Sequence, residues 1–172
     1  MTKIFTRASQ AALLRRKPFT EAFFDGESTA DGALLVAIVA AATYAGLVIR
    51  LGASFSVNDL LRLVIASVTS WLILGFATWL AATKLFEGTG SAQTMLGLQG
   101  LAVLPLLLDM VGSQLIGAIG LLWYLAILVV ATREASNLES KNAVVSVLIG
   151  LAAAALIRAL LAVPFMAFSS TF

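Results

Sequence analysis

Residues 93–132, QTMLGLQGLAVLPLLLDMVGSQLIGAIGLLWYLAILVVAT, contain a single charged residue, Asp109, and decide the fold class. At 1.5 Å per helical residue this run crosses roughly 30 Å of hydrocarbon twice, if it turns back within Asp109-Met110-Val111-Gly112-Ser113-Gln114 as a tight helical hairpin. Further apolar segments flank it, and the spans read as about 32–53, 58–83, 93–111, 113–132 and 143–167. Asp31, Asn58, Ser113 and Ser140 stand where N-caps are wanted. The third segment is near the lower length limit, and Pro105 leaves one backbone carbonyl without its usual partner. Four spans with segment 93–111 re-entrant or interfacial is therefore the alternative.

Composition points the same way. The 172 residues are 60 % hydrophobic and 12 % charged, with a mean hydropathy of +1.01, whereas soluble domains run at about 45–50 % and about 25 %. Too little polar surface is left to coat a water-facing globule, so the expected fold is all-α, a polytopic bundle of five transmembrane helices. Cysteine and histidine are both absent. That excludes disulfides, thiolate nucleophiles, Cys/His zinc sites and histidine acid–base chemistry. No cofactor, catalytic residue or metal ligand is assigned, and no repeat of fixed period is visible.

Residues 1–31 form a basic arm, expected to be cytoplasmic, with residues 32–172 as the membrane domain. No uninterrupted apolar core follows the first positive charges, so a cleaved signal peptide is not expected. Within the arm, Pro18 opens a short stretch with Phe19 and Phe23 on one face and Phe24 beside them, preceded by Arg15, Arg16 and Lys17. This is the composition of an interfacial segment at an anionic membrane surface. With the N-terminus inside, Lys3, Arg7, Arg15, Arg16, Lys17, Lys84, Arg133 and Lys141 fall on the cytoplasmic side. Arg50 and Arg62 fall outside, and Arg158 lies within the last segment. The bias predicts N-in, C-out topology in a bacterial inner membrane.

Small residues recur at helix-contact spacing as Gly97 and Gly100, Gly117 and Gly120, Gly150 and Ala154. In lipid, close backbone approach through such residues drives packing, either within the monomer or at a homodimer face. The loop Phe86-Glu87-Gly88-Thr89-Gly90-Ser91 lacks the Gly-Lys-Ser/Thr ending of a phosphate cradle and reads as a turn. Trp71, Trp79, Trp123 and Tyr124 lie inside segments, where they fill the bundle or anchor it. Arg133, Glu134, Glu139 and Lys141 make a mixed-charge loop.

Arg158 is the charge furthest inside a hydrophobic segment, where a charge costs at least about 2.5–3.5 kcal/mol. Arg158 follows Lys141, and Asp109 follows Ala92, by the same interval, which places both roughly 25 Å from one face. An outer-side ion pair between Asp109 and Arg158 is the expectation, with simple snorkelling of Arg158 as the alternative.

From Leu85 onward, LFEGTGSAQTMLGLQGLAVLPLLLDMVG and GLLWYLAILVVATREASNLESKNAVVSVLIG resemble the Yip family of Ypt/Rab-interacting membrane proteins, in its bacterial branch. The matching positions are Gly88, Gly90, Ser91, Leu104, Pro105, Gly120, Trp123, Glu134, Lys141 and Ala143. The Asp-Leu-Tyr-Gly-Pro signature of eukaryotic members is absent. The resemblance implies a five-helix bundle with a cytoplasmic N-terminus and no catalytic residues.

By exclusion, the function expected is that of a non-enzymatic adaptor, assembly factor or accessory subunit. Its partners are membrane lipids and other membrane proteins or a second copy of itself, with no nucleic acid. The rival is a small transporter, channel or lipid-translocating unit, with Arg158, Asp109 and Gln99 or Gln114 lining a polar path.

Overall fold

The computed structural model describes residues 2–13 and 28–169. They form six α-helices and one 3₁₀ segment: α1 (Thr2–Ala12), α2 (Ser28–Leu51), α3 (Val57–Leu85), α4 (Ala92–Leu101), the 3₁₀ segment (Leu104–Val111), α5 (Gln114–Ser136) and α6 (Ser140–Ser169). Five stretches are long and apolar enough to cross a membrane, namely α2, α3, α4 joined to the 3₁₀ segment, α5 and α6. The five expected spans are present. Their start signals differ in part: Ser56, not Asn58, caps α3 through its side chain, and Asp31 sits in the first turn of α2 because that helix begins at Ser28. Ser113 is the N-cap of α5, whereas Ser140 is already helical.

The third span is broken. Pro105 has no N–H to give and crowds the preceding turn, so the chain tightens before it: Ala102 N–H bonds to Gln99 O at 3.1 Å, and Leu106 N–H to Val103 O at 3.0 Å. A 3₁₀ segment rises about 2.0 Å per residue against about 1.5 Å in an α-helix, and the stretched half brings this short span to roughly 30 Å. Gly112 ends it in the left-handed region at φ 75°.

The α2–α3 turn is held by Tyr44, whose hydroxyl accepts from Ser56 N–H at 2.9 Å and donates to Ser56 O at 3.0 Å. Phe55 stands edge-on to the Tyr44 ring at 5.6 Å. This turn and the 3₁₀–α5 turn mark the distal end of the bundle. The α3–α4 and α5–α6 turns mark the proximal end, with the start of α2. There the loop 86–91 straps across α5: Gly88 N–H bonds to Ala82 O at 2.9 Å and Thr89 N–H to Ser136 O at 3.0 Å. The Trp79 indole N–H donates to Gly90 O at 3.0 Å. Losing one such bond costs about 1 kcal/mol, so Trp79→Phe is expected to destabilise the protein by about that amount, read as a lowered midpoint of thermal melting in detergent.

Helix α1 is too short to persist by itself and is stabilised by docking. It packs against α4 and the 3₁₀ segment, buries Ala8 and Ala11 completely, and accepts at Ala12 O a 2.8 Å bond from the Trp123 indole. Trp123 lies roughly 14 Å along α5 from its distal start. The end of α1 therefore reaches well into the bundle.

Candidate functional site: an intramembrane cavity

On α3, Leu63, Ser67, Ser70, Trp71 and Leu74 recur at three- and four-residue spacing and form one stripe. This stripe lines a cavity of about 940 Å³. Val36, Val39, Ala40 and Thr43 of α2 form a second wall, and Gly117, Ala118, Leu121 and Tyr124 of α5 a third. Leu151, Ala154 and Ala155 of α6 close it, with Val103, Leu106, Asp109 and Gln114 at the broken span and its turn. The size lies near the top of the roughly 300–1,000 Å³ range of small-molecule sites.

Most of this lining is carbon. Thr43 and Ser70 satisfy their hydroxyls on their own helices, donating to Val39 O at 2.9 Å and Ala66 O at 2.7 Å. The polar rim is Asp109 and Gln114, both exposed at the distal turn. Glycines set its shape. A Cβ on Gly117 would stand 2.9 Å from Asp109 Oδ1, and one on Gly120 would stand 2.6 Å from Pro105 O, so both let the 3₁₀ segment lie against α5. Arg50 lies across the turn, its Cδ and Nη1 each 2.6 Å from where a Gly112 Cβ would be.

Proximal to the cavity lining, Thr78, Gln99, Thr132, Ser136 and Ser146 are all fully buried. Gln99 Nε2 donates to Thr132 Oγ1 at 3.4 Å, and Thr78 gives its hydroxyl to Leu74 O at 2.7 Å. Gly150 of α6 lies directly against Thr78, with Leu74 O 3.0 Å from its Cβ position. Gln99 Oε1, Ser136 Oγ and Trp71 Nε1 are buried without partners.

Of the residues singled out by sequence, Trp71, Asp109, Gln114, Gly117, Tyr124 and Ala154 meet at this cavity. Gln99 does not, being sealed beneath it. Gly100 crosses Gly32 of α2, with Gly97 O 3.3 Å from the Gly32 Cβ position. Arg158 is on α6, but its side chain lies outside the described residues, as do Arg15, Arg16, Lys17, Phe19, Phe23 and Phe24. Sequence reasoning missed Thr43, Ser67 and Ser70 as wall residues. The spacing of Ser67 and Ser70 on one face of α3 was the available signal, but such a stripe ordinarily packs against a helix, and Thr43 stands alone on α2.

Five apolar spans around a lipid-depth cavity define a multi-pass helical membrane protein. The Yip1 domain family model matches residues 12–163, and the chain belongs to that family. Comparison with curated proteins and with solved structures finds no match.

Proposed function

We propose that this Yip1-family protein is a non-enzymatic adaptor, assembly factor or accessory subunit of a bacterial inner membrane. It acts through helix and loop contacts with other membrane proteins or lipids. The supporting observation is the packing proximal to the cavity: Thr78, Gln99, Thr132, Ser136 and Ser146 are all fully buried, so these polar groups are packed rather than wet, whereas a permeation path needs solvated polar groups at every level. Purification in mild detergent is expected to retain a partner in fixed stoichiometry. A lone monomer that moves a solute or lipid across liposomes would overturn this reading in favour of a transporter, channel or lipid-translocating unit, which the Asp109 and Gln114 rim supports.

The N-terminus is proposed to be cytoplasmic, from the charge asymmetry. Reporter fusions after Lys84 and Lys141 are expected to read inside, and those after Gln114 and Phe172 outside. Matching signals at Lys141 and Phe172 would refute it.

A further inference from the structure

We infer that the distal cavity binds one zwitterionic, amine-bearing glycerophospholipid, with an acyl chain between α2, α3, α5 and α6 and the head group held by Asp109 at the mouth and by Arg50 on the adjoining Gly112 turn. The walls favour a chain. They lie at lipid depth, are mostly carbon, and their Thr43 and Ser70 hydroxyls are already used on Val39 and Ala66 carbonyls. A polar solute entering there would leave its own groups unpaired, at a cost of about 1–3 kcal/mol each.

The mouth selects the head group. Asp109 lines the cavity with its carboxylate against Gly117, and Arg50 lies beside that lining with its guanidinium against Gly112; among the described residues the ion pairs are Arg133–Glu134 and Lys141–Glu139, at the proximal end. The carboxylate and the guanidinium thus belong to one distal turn region, Gly112 and Gly117 being five residues apart, without being paired to each other. A phosphoethanolamine-type head offers the complement of both, an ammonium for Asp109 and a phosphate for the planar guanidinium fork. An anionic head without an amine satisfies Arg50 alone and is repelled by Asp109. Two glycines permit this arrangement, Gly112 by leaving room for Arg50 and Gly117 by leaving room for the Asp109 carboxylate.

Trp71 provides the test, because it lines the cavity and is only 4 % exposed, so bulk lipid does not reach it. In the full chain carrying Trp79→Phe and Trp123→Phe, a phospholipid with brominated acyl chains is added as a trace component of mixed micelles. Saturable quenching is expected with brominated phosphatidylethanolamine, and weaker quenching with brominated phosphatidylglycerol. Asp109→Asn and Arg50→Gln should each raise the half-saturating concentration for phosphatidylethanolamine about tenfold, as expected for loss of one charge-assisted contact. Asp109→Asn should instead improve phosphatidylglycerol binding. Cavity filling by Ala118→Phe, or by Ala155→Phe, should abolish quenching.

Quenching indifferent to head group and to both rim substitutions, equal quenching by a brominated fatty acid, or no saturable quenching would each overturn the inference. Native mass spectrometry of the delipidated parent protein, back-titrated with the two phospholipids, gives a second readout free of tryptophan changes. Equal retention of both there also overturns it. Lipid occupancy and partner binding are separable: a phospholipid can seat without a protein partner, and a partner can persist in the filled variants.

Discussion

Gly90→Ala is expected to destabilise the protein by about 2–6 kcal/mol, the largest loss from adding a single methyl group. Gly90 has φ 143°, a conformation that costs an L-residue about 1–3 kcal/mol. Its Cβ would also fall on the Ala135 carbonyl oxygen, and overpacking adds about 1–3 kcal/mol because the obstacle is backbone. Relief requires lifting the strap from α5, which breaks the Trp79 to Gly90 bond and the Thr89 to Ser136 bond. Gly46→Ala is the control. There the new methyl meets only the flexible Met110 side chain at 3.1–3.2 Å, and the gain in helix propensity is about 1 kcal/mol, so its stability should stay within about 1 kcal/mol of the parent. Thermal melting in mild detergent distinguishes the two, and a Gly90→Ala protein that melts with the parent would mean the strap does not press on α5.

The α2–α4 crossing should be nearly as sensitive. A Cβ on Gly100 would fall on the Gly32 Cα, with Gly32 C at 2.8 Å and O at 3.0 Å. Backbone cannot rotate away as a side chain does. Gly100→Ala is expected to cost about 1–3 kcal/mol and Gly100→Leu about 3 kcal/mol or more. The Gly32 Cβ position lies 3.2 Å from a Trp71 ring carbon, so separating these helices also shifts a cavity wall. Gly32→Ala with Gly100→Ala should cost less than the two singles together, since the first methyl already parts the helices. Strict additivity in detergent melting would show that the two glycines do not share one crossing.

The spans and the family resemblance were legible from residues alone because hydropathy and short motifs are local properties. A run such as 113–132 has no soluble alternative, and Gly88, Pro105 and Trp123 are readable in order without coordinates. Helix starts were less legible. Asn58 is a good cap, but Ser56 lies close by and takes that role, and Asp31 falls within the first turn because α2 already begins at Ser28. Pro105 announced a disturbance in the third span without specifying that the chain would continue as a 3₁₀ segment. The helix at Thr2–Ala12 carried no comparable signal, since its stability comes from Ala8, Ala11 and the Trp123 bond rather than from its own length.

The sequence by itself determined that this chain is a polytopic helical membrane protein, because its apolar lengths match the bilayer and its backbone polar groups must be satisfied internally, and short motifs gave the Yip-family resemblance. That segment 93–111 is long and apolar enough to span follows from its α-helix continuing as a 3₁₀ segment. Which helices touch was decided only by the tertiary structure. A glycine or serine stripe marks a face, but not the element that will cover it or whether anything will. Thus Gly100 meets Gly32, Gly117 makes room for Asp109, and Gly150 lies on Thr78. The stripe from Leu63 to Leu74 lines a cavity, although Trp71 and Leu74 within it also pack against α2 and α6. The physical reason is that burial in lipid rewards apolar surface equally on every side of a helix, so the choice of neighbours falls to close backbone packing, which exists only once the helices are assembled.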